Sequence, residues 1–282
     1  MTLAHEEFRD LHRAGAPLLL PNAWDHASAA AFVAAGFRAV GTTSLGVAAA
    51  AGLPDGAGAA RAETVRLARG LTRLDALVSV DIEGGFSDRP EEVAALVAEL
   101  ADMGVVGVNI EDGRADGTLR DATHQCEILG AVREAVAGRL FVNARTDTYW
   151  LRDAEWADQT ADRLAAYRQA GADGLFVPGV RDVRGARDAR GARDARDARD
   201  IRVIAELVAG LDAPLNVLHT PGGPALPALA EAGVARVSCG SLLFRAALRG
   251  ALAAVEAVAR STPLASGIPS YAKTQALSDA FA

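Results

Sequence analysis

The chain is nearly without lysine: of its 29 basic residues only Lys273 is one, and it lies close to the C-terminus. A Schiff-base aldolase and a Walker-type phosphate loop each need a lysine inside the fold, so neither is expected. Cysteine is as scarce. Cys126 and Cys239 supply neither a disulfide framework nor a zinc-ligand spacing. Aromatic residues are 5% of the chain, which suits an Ala- and Gly-rich helical protein better than an all-β sandwich. No uncharged apolar run reaches the ~20 residues of a membrane helix, so no membrane association is expected. Residues 1–15 hold no apolar stretch of the signal-peptide kind, and the expected compartment is a reducing cytoplasm. A basic excess is missing too: 29 basic residues stand against 36 acidic ones, a net charge of −7. That argues against a nucleic-acid partner held by a basic face.

What is present is an alternation. Short apolar runs read as strands at Leu18–Asn22, Ala39–Thr43, Leu77–Ile82, Gly107–Glu111, Leu140–Ala144, Gly174–Val177, Leu215–Leu218 and Arg236–Cys239. Amphipathic runs between them read as helices at His26–Ala35, Ala62–Leu74, Pro90–Met103, Ala122–Val136, Glu155–Ala170, Ile201–Ala209, Leu226–Ala232 and Ser241–Arg260. Gly36, Gly104, Gly138, Gly171, Gly210 and Gly233 stand where left-handed helix stops are wanted. Eight β-then-α units predict an α/β fold, a single-domain (β/α)8 TIM barrel over residues 1–262, followed by a tail at 263–282. The alternative, a doubly wound open sheet, wants a Gly-rich fingerprint after its first strand, and Pro21-Asn22-Ala23-Trp24-Asp25 is not one. One segment breaks the rhythm. Val183–Asp188, Ala189–Asp194 and Ala195–Asp200 are three six-residue units rich in Arg and Asp, inserted after the sixth strand. Mixed charge without apolar periodicity builds no core. The segment reads as a surface expansion, disordered or a solvated helix, with a lid role as the alternative.

In such a barrel, chemistry sits at the C-terminal ends of strands. The third strand ends in Asp81-Ile82-Glu83 and the fourth in Glu111-Asp112. Alternation puts Asp81 and Glu83 on one face, and Glu111 falls on the neighbouring strand, ~4.8 Å away. Three converging carboxylates call for a hard divalent cation, Mg²⁺ above all, with Mn²⁺ as a substitute. The bland alternative is three capping or solvated acids. The fifth strand ends in Asn143-Ala144-Arg145-Thr146-Asp147. Arg145 can grip a substrate carboxylate, form a buried salt bridge, or do both. Thr43-Ser44-Leu45-Gly46 offers backbone N–H groups to a ligand oxygen. Asp55, in the Gly52-Leu53-Pro54-Asp55-Gly56 turn, is a plain turn acid or one that reaches the mouth. After the seventh strand, Asn216 can donate to a substrate, and His219 is an acid/base or a structural histidine. Gly222-Gly223 and Gly240-Ser241 leave a phosphate cup open as an alternative.

Taken in order, Thr43-Ser44-Leu45, the turn to Asp55, Asp81-Ile82-Glu83, Asn109-Ile110-Glu111-Asp112, Asn143-Ala144-Arg145-Thr146-Asp147, Asn216 and the tail Ser270–Leu277 resemble the isocitrate lyase/phosphoenolpyruvate mutase superfamily. The resemblance implies a Mg²⁺-dependent barrel that makes or breaks a C–C or P–C bond beside an enolate. It implies that Asp81 holds the metal, with Glu83 and Glu111 around it, partly through water. It further implies that Thr43, Ser44 and Leu45 hold the carboxylate and enolate oxygens, that Arg145 and Asn216 grip the rest, and that Asp55 belongs to a gating segment. A homodimer or homotetramer exchanging its last helices follows from the same resemblance, with the tail packed on a neighbouring subunit.

The departures bear on the reaction. Isocitrate and methylisocitrate lyases carry a Lys-(Lys/Arg)-Cys-Gly-His gate where this chain reads Gly113-Arg114-Ala115-Asp116-Gly117-Thr118-Leu119-Arg120-Asp121. The usual proton donor is missing, and Glu83 stands in place of the more usual Asp. The expected activity is therefore a carbon–carbon lyase on a small 2-oxo or 2-hydroxy carboxylate, oxaloacetate decarboxylase-like or aldol-type. Alternatives are a P–C hydrolase or mutase, drawing on Arg114, Arg120 or His219, and a non-catalytic metabolite-binding barrel.

Overall fold

The computed structural model describes residues 3–151, 154–180 and 193–282. Nine parallel strands form one sheet in the order β1-β9-β8-β7-β6-β5-β4-β3-β2. They are β1 (Leu18–Leu20), β2 (Asn22–Ala23), β3 (Ala39–Thr42), β4 (Leu77–Asp81), β5 (Gly107–Glu111), β6 (Phe141–Arg145), β7 (Gly174–Val177), β8 (Leu215–Leu218) and β9 (Arg236–Ser238). β1 and β2 are two halves of the first expected strand. Pro21, which has no N–H to give a ladder, divides them. Leu18–Leu20 pairs with β9, and Asn22–Ala23 pairs with β3. One short run thus closes the barrel by bonding to both edges. The Asn22 side chain fastens the seam: Nδ2 donates to Thr42 O at 2.8 Å, and Oδ1 accepts from the Cys239 and Gly240 N–H groups at 2.8 and 2.9 Å.

The helices are α1 (Leu3–Asp10), α2 (His26–Ala34), α3 (Ser44–Ala50), α4 (Arg61–Leu71), α5 (Pro90–Asp102), α6 (Ala122–Val136), α7 (Ala154–Ala157), α8 (Thr160–Gln169), α9 (Arg193–Ala209), α10 (Leu226–Glu231), α11 (Leu242–Ala259) and α12 (Tyr271–Gln275), with a 3-10 turn at Ala276–Phe281. The chain is a (β/α)8 barrel, as its alternation predicts. Two helices were not expected. α1 closes the N-terminal end of the barrel with fully buried Phe8, edge-on to Phe141 at 5.7 Å. α3 takes up the run of small residues after β3, which carries no expected element. The single helix expected over Glu155–Ala170 is two, α7 and α8. Of the helix-stop glycines, Gly36, Gly104, Gly138, Gly171 and Gly233 take positive φ, and Gly210 does not.

Of the repeat insert, residues 183–192 lie outside the described residues, and residues 193–200 are the first turns of α9. At the end of the tail Leu277 and Phe281 pack against the core, and the Phe281 ring meets His26 at 5.3 Å, while residues 261–276 are exposed. No helix among the described residues is long and apolar enough to cross a membrane.

Candidate active site

The strand ends bring Asp81, Glu111 and Arg145 together. Asp81 pairs in register with Asn109, and Glu111 with Arg145. Arg145 Nη1 stands 2.7 Å from Glu111 Oε2, out of line for a hydrogen bond, so Glu111 Oε2 is buried without a hydrogen-bonding partner. The rest of the guanidinium forks onto Asp147, with Nε to Oδ1 at 2.7 Å and Nη2 to Oδ2 at 3.0 Å. Its flat face covers the Phe176 ring at 5.5 Å. Both readings of Arg145 begin from this pose: it is a buried ion pair whose fork is shaped for a carboxylate.

Burial pushes the Asp81 and Glu111 carboxyls above the usual carboxylate range, against the pull of the Arg145 charge. Asp81 Oδ2 accepts a long 3.4 Å bond from the Ser44 N–H at the start of α3. Its own N–H is held by Thr42 Oγ1 at 2.9 Å. Thr43 is buried, with its N–H on Ala23 O at 3.0 Å, and it caps α3 without a side-chain bond. Ser44 and Leu45 open that helix, where N–H groups have no intrahelical acceptor. The close approach depends on Gly46, because a Cβ there would fall 2.7 Å from Trp24 Cβ.

Glu83 reaches the site by another route than alternation suggests. β4 ends at Asp81, and Glu83 takes the left-handed φ of 51°, with its carbonyl held by the Glu111 N–H at 3.0 Å. The carboxylate turns to the segment between α3 and α4, where Oε2 accepts from the Gly58 N–H at 3.0 Å. Oε1 is buried and unpartnered. Burial, then the nearby charges of Asp55 and Asp81, raise its pKa to about 7. Asp55 is exposed on this same segment, close enough to act on all three acids.

Register sets Asn216 in one row with Phe176, Arg145 and Glu111. Asn216 is buried in the barrel interior, and its Nδ2 donates to Val217 O and Ser238 Oγ at 2.9 and 3.1 Å. His219 faces outward, lining a small cleft with Gly179, Ile204, Val217 and Leu229. Arg120 and Arg114 both pair with Asp88, and Arg120 also donates to Gln125 Oε1 and Gly84 O. They edge an open cleft beside Glu83, Gly56 and Gly58. Asp112 has a supporting role that its place in the sequence does not disclose. It is fully buried and accepts from Thr146 Oγ1, the Asp147 N–H, Arg163 Nη1 and Tyr167 OH at 2.8, 2.8, 3.2 and 2.7 Å. It thereby fixes the loop that carries Asp147 against Arg145. No local signal sets it apart, because all four partners come from far along the chain.

As placed, no three His, Cys, Asp or Glu groups among the described residues stand close enough to hold a metal ion. The donor set nonetheless suits one. It is all oxygen, its burial disfavours charge, and Glu83 keeps an unpartnered buried oxygen.

A closed parallel sheet with carboxylates at adjoining strand ends places the chain in the (β/α)8 class. Within that class, residues 8–259 match the phosphoenolpyruvate phosphomutase family, and the chain belongs to that family, in the isocitrate lyase/phosphoenolpyruvate mutase superfamily. It is 42% identical to an uncharacterized protein of Mycobacterium tuberculosis over 95% of each chain. A candidate phosphonomutase from Burkholderia cenocepacia J2315 superposes with a TM-score of 0.79 at 38% identity, covering 90% of this chain and 100% of that one. The 2-methylisocitrate lyase of Halalkalibacterium halodurans is 31% identical over 61% of this chain and 58% of its own.

Proposed function

We propose that the chain is a Mg²⁺-dependent lyase that cleaves a C–C bond of a small 2-oxo or 2-hydroxy carboxylate through an enolate, in an oxaloacetate decarboxylase-like or aldol-type reaction. The observation that carries this reading is the set of buried acids at adjoining strand ends, Asp81, Glu83 and Glu111, with Arg145 ion-paired to Glu111. Asp81, Glu111 and Glu83 would hold the ion, partly through water, with Mn²⁺ able to replace Mg²⁺. When bound, the ion draws charge from the carbonyl of a 2-oxo carboxylate. Arg145 takes the substrate carboxylate with the fork it now lends to Asp147. The N–H groups of Ser44 and Leu45, with Thr43 setting their direction, stabilise the oxygen that gains charge, a contribution of ~3–4 kcal/mol per donor. The long Ser44–Asp81 bond is one a substrate oxygen displaces without loss. Asp55 rides on the segment that covers the mouth. Loss of CO₂ needs no dedicated acid at the leaving group, which fits a 113–121 loop without Cys or His.

The P–C reading is supported by the likeness to the candidate phosphonomutase and by the cleft that Arg114 and Arg120 edge. It requires both arginines to leave Asp88. His219, facing another cleft, takes no part in either reading.

A second copy of the chain is the proposed partner, seated on α11, where Leu248, Leu252, Val255 and Val258 are half or more exposed along one stripe. The proposed compartment is the cytoplasm.

Titration of metal-stripped protein with oxalate, a planar mimic of the pyruvate enolate, tests the site. Binding is expected only with Mg²⁺ present and is expected to vanish in Asp81→Ala. Release of CO₂ with pyruvate from oxaloacetate, against release of phosphate with pyruvate from phosphonopyruvate, then separates C–C from P–C chemistry. Equal binding with and without Mg²⁺, or none at all, removes the metal reading.

A further inference from the structure

The barrel interior beneath Asp81 and Glu111 is polar, where (β/α)8 barrels ordinarily stack branched aliphatic side chains. Arg236 on β9 donates from Nη2 to Asn109 Oδ1 on β5 at 3.2 Å. β9 and β5 are not neighbours in the sheet, so this bond crosses the lumen. The same oxygen accepts from Asn143 Nδ2 on β6 at 2.9 Å. Asn109 lies two residues before Glu111 and opposite Asp81, and Asn143 lies two before Arg145. Residues two apart on a strand share a face. One amide oxygen therefore gathers β5, β6 and β9 beside Asp81 and one step below Glu111 and Arg145.

Arg236 is 1% exposed, yet its Nε and Nη1 meet no hydrogen-bond partner among the described residues. Three more buried atoms of the interior share that condition: Ser79 Oγ, Asn216 Oδ1 and His12 Nε2. Asn216 is the register partner of Arg236. His12 stacks on Phe141 at 4.3 Å and lies near enough to feel the Arg236 charge. Its Nδ1 stands 2.8 Å from Phe8 O, a pure acceptor, so Nδ1 carries the proton and Nε2 is a bare acceptor. Donors and acceptors thus face one lumen together. An anion would be repelled by the acceptors, and an apolar group would satisfy none of them. Ordered water, donating to some and accepting from others, satisfies the set.

We propose that Arg236 is a positioning residue: with ordered water on its Nε and Nη1, it braces Asn109 and Asn143 across the lumen and so fixes the strand ends that carry Asp81, Glu111 and Arg145. Its effect on ligand binding rests on the reading of the site given above, whereas the brace itself does not.

Two variants test it. Arg236→Met removes the donors while keeping an extended side chain, and Arg236→Lys keeps the charge and gathers its donors on one ammonium. The first readout is the ¹H–¹⁵N resonance of Arg145 Nε–H. It is expected to shift and broaden in Arg236→Met and to return toward its wild-type position in Arg236→Lys. In the wild type, Arg236 Nε–H is expected to show a cross-peak to long-lived water, and its absence overturns the water-bridged brace. The second readout is oxalate titration with Mg²⁺ present. Affinity is expected to fall about ten- to hundredfold in Arg236→Met, as when outer partners of a metal site are removed. It is expected to stay within about threefold in Arg236→Lys, because the ammonium keeps the charge and can still donate to Asn109 Oδ1 and to water. If the wild type binds no oxalate, the reading of the site fails, and the Arg145 signal still judges the brace. If Arg236→Met does not fold, Asn109→Ser removes the acceptor from the other side and must displace the Arg145 signal equally. An unmoved Arg145 signal in a folded Arg236→Met or Asn109→Ser protein overturns the proposal.

Discussion

Replacing Glu83 by Gln in metal-free protein should raise stability at pH 8 and leave it unchanged near pH 4.5. Glu83 is 2% exposed, and its carboxyl is raised from the usual 4.5 to about 7. The folded protein therefore binds this proton more tightly than the unfolded chain does. The stability from that proton is fully present below pH 4.5 and is lost as pH rises through about 7. At ~1.4 kcal/mol per pH unit, the penalty on ionised Glu83 approaches about 3 kcal/mol by pH 8. Gln keeps an oxygen for the Gly58 N–H and never ionises, so the variant is spared the loss. The assay is urea unfolding of both proteins in chelator at several values between pH 4.5 and 8. Their difference isolates Glu83 from Asp81 and Glu111, which titrate upward for the same reason. A difference curve flat to within about 0.5 kcal/mol, the usual range for an uninvolved surface change, would refute the reasoning, as would a slope of opposite sign. Added Mg²⁺ should stabilise the wild type at pH 8 by about 2.7 kcal/mol at a hundredfold excess over its Kd. Glu83→Gln should gain less.

The remaining expectations concern support and assembly. Asp112→Ala strips a hub that holds Thr146, Asp147, Arg163 and Tyr167 and leaves the Arg163 charge unpaired. It should lose about 3–5 kcal/mol of stability, read as a fall in Tm by calorimetry. A change below about 1 kcal/mol, the centre of ordinary substitutions, would deny it that role. Leu252→Glu places a charge in the exposed stripe of α11. Light scattering should show a smaller particle than the wild type, and a wild type that is already monomeric would discard the self-partner.

Much of the site was legible because its signals are local. An acid at the end of an apolar run is an acid at a barrel mouth, once the β-then-α alternation has fixed the architecture. Asp81, Glu111 and Arg145 met that way, through registers that parallel pairing imposes. Glu83 shows where the argument stops. Alternation holds only while the backbone stays extended, and the chain leaves β4 at Asp81 to enter a left-handed turn. The carboxylate was foreseen, but its direction was not. The small residues at Ser44–Ala50 carry no turn-or-helix preference strong enough to decide, and packing against Trp24 and Phe244 settles them as a helix.

By itself, then, the sequence determined the barrel, the acids and arginine at its mouth, and the missing Cys gate, because each depends on order and period along the chain. Tertiary structure alone decided the rest. Asn22 fastens the seam, Asp112 holds the Arg145 loop, His219 turns outward, and Arg236 reaches across the lumen to Asn109. These roles depend on residues brought together from distant strands, and no local pattern records which buried polar group will find which partner once the barrel has closed.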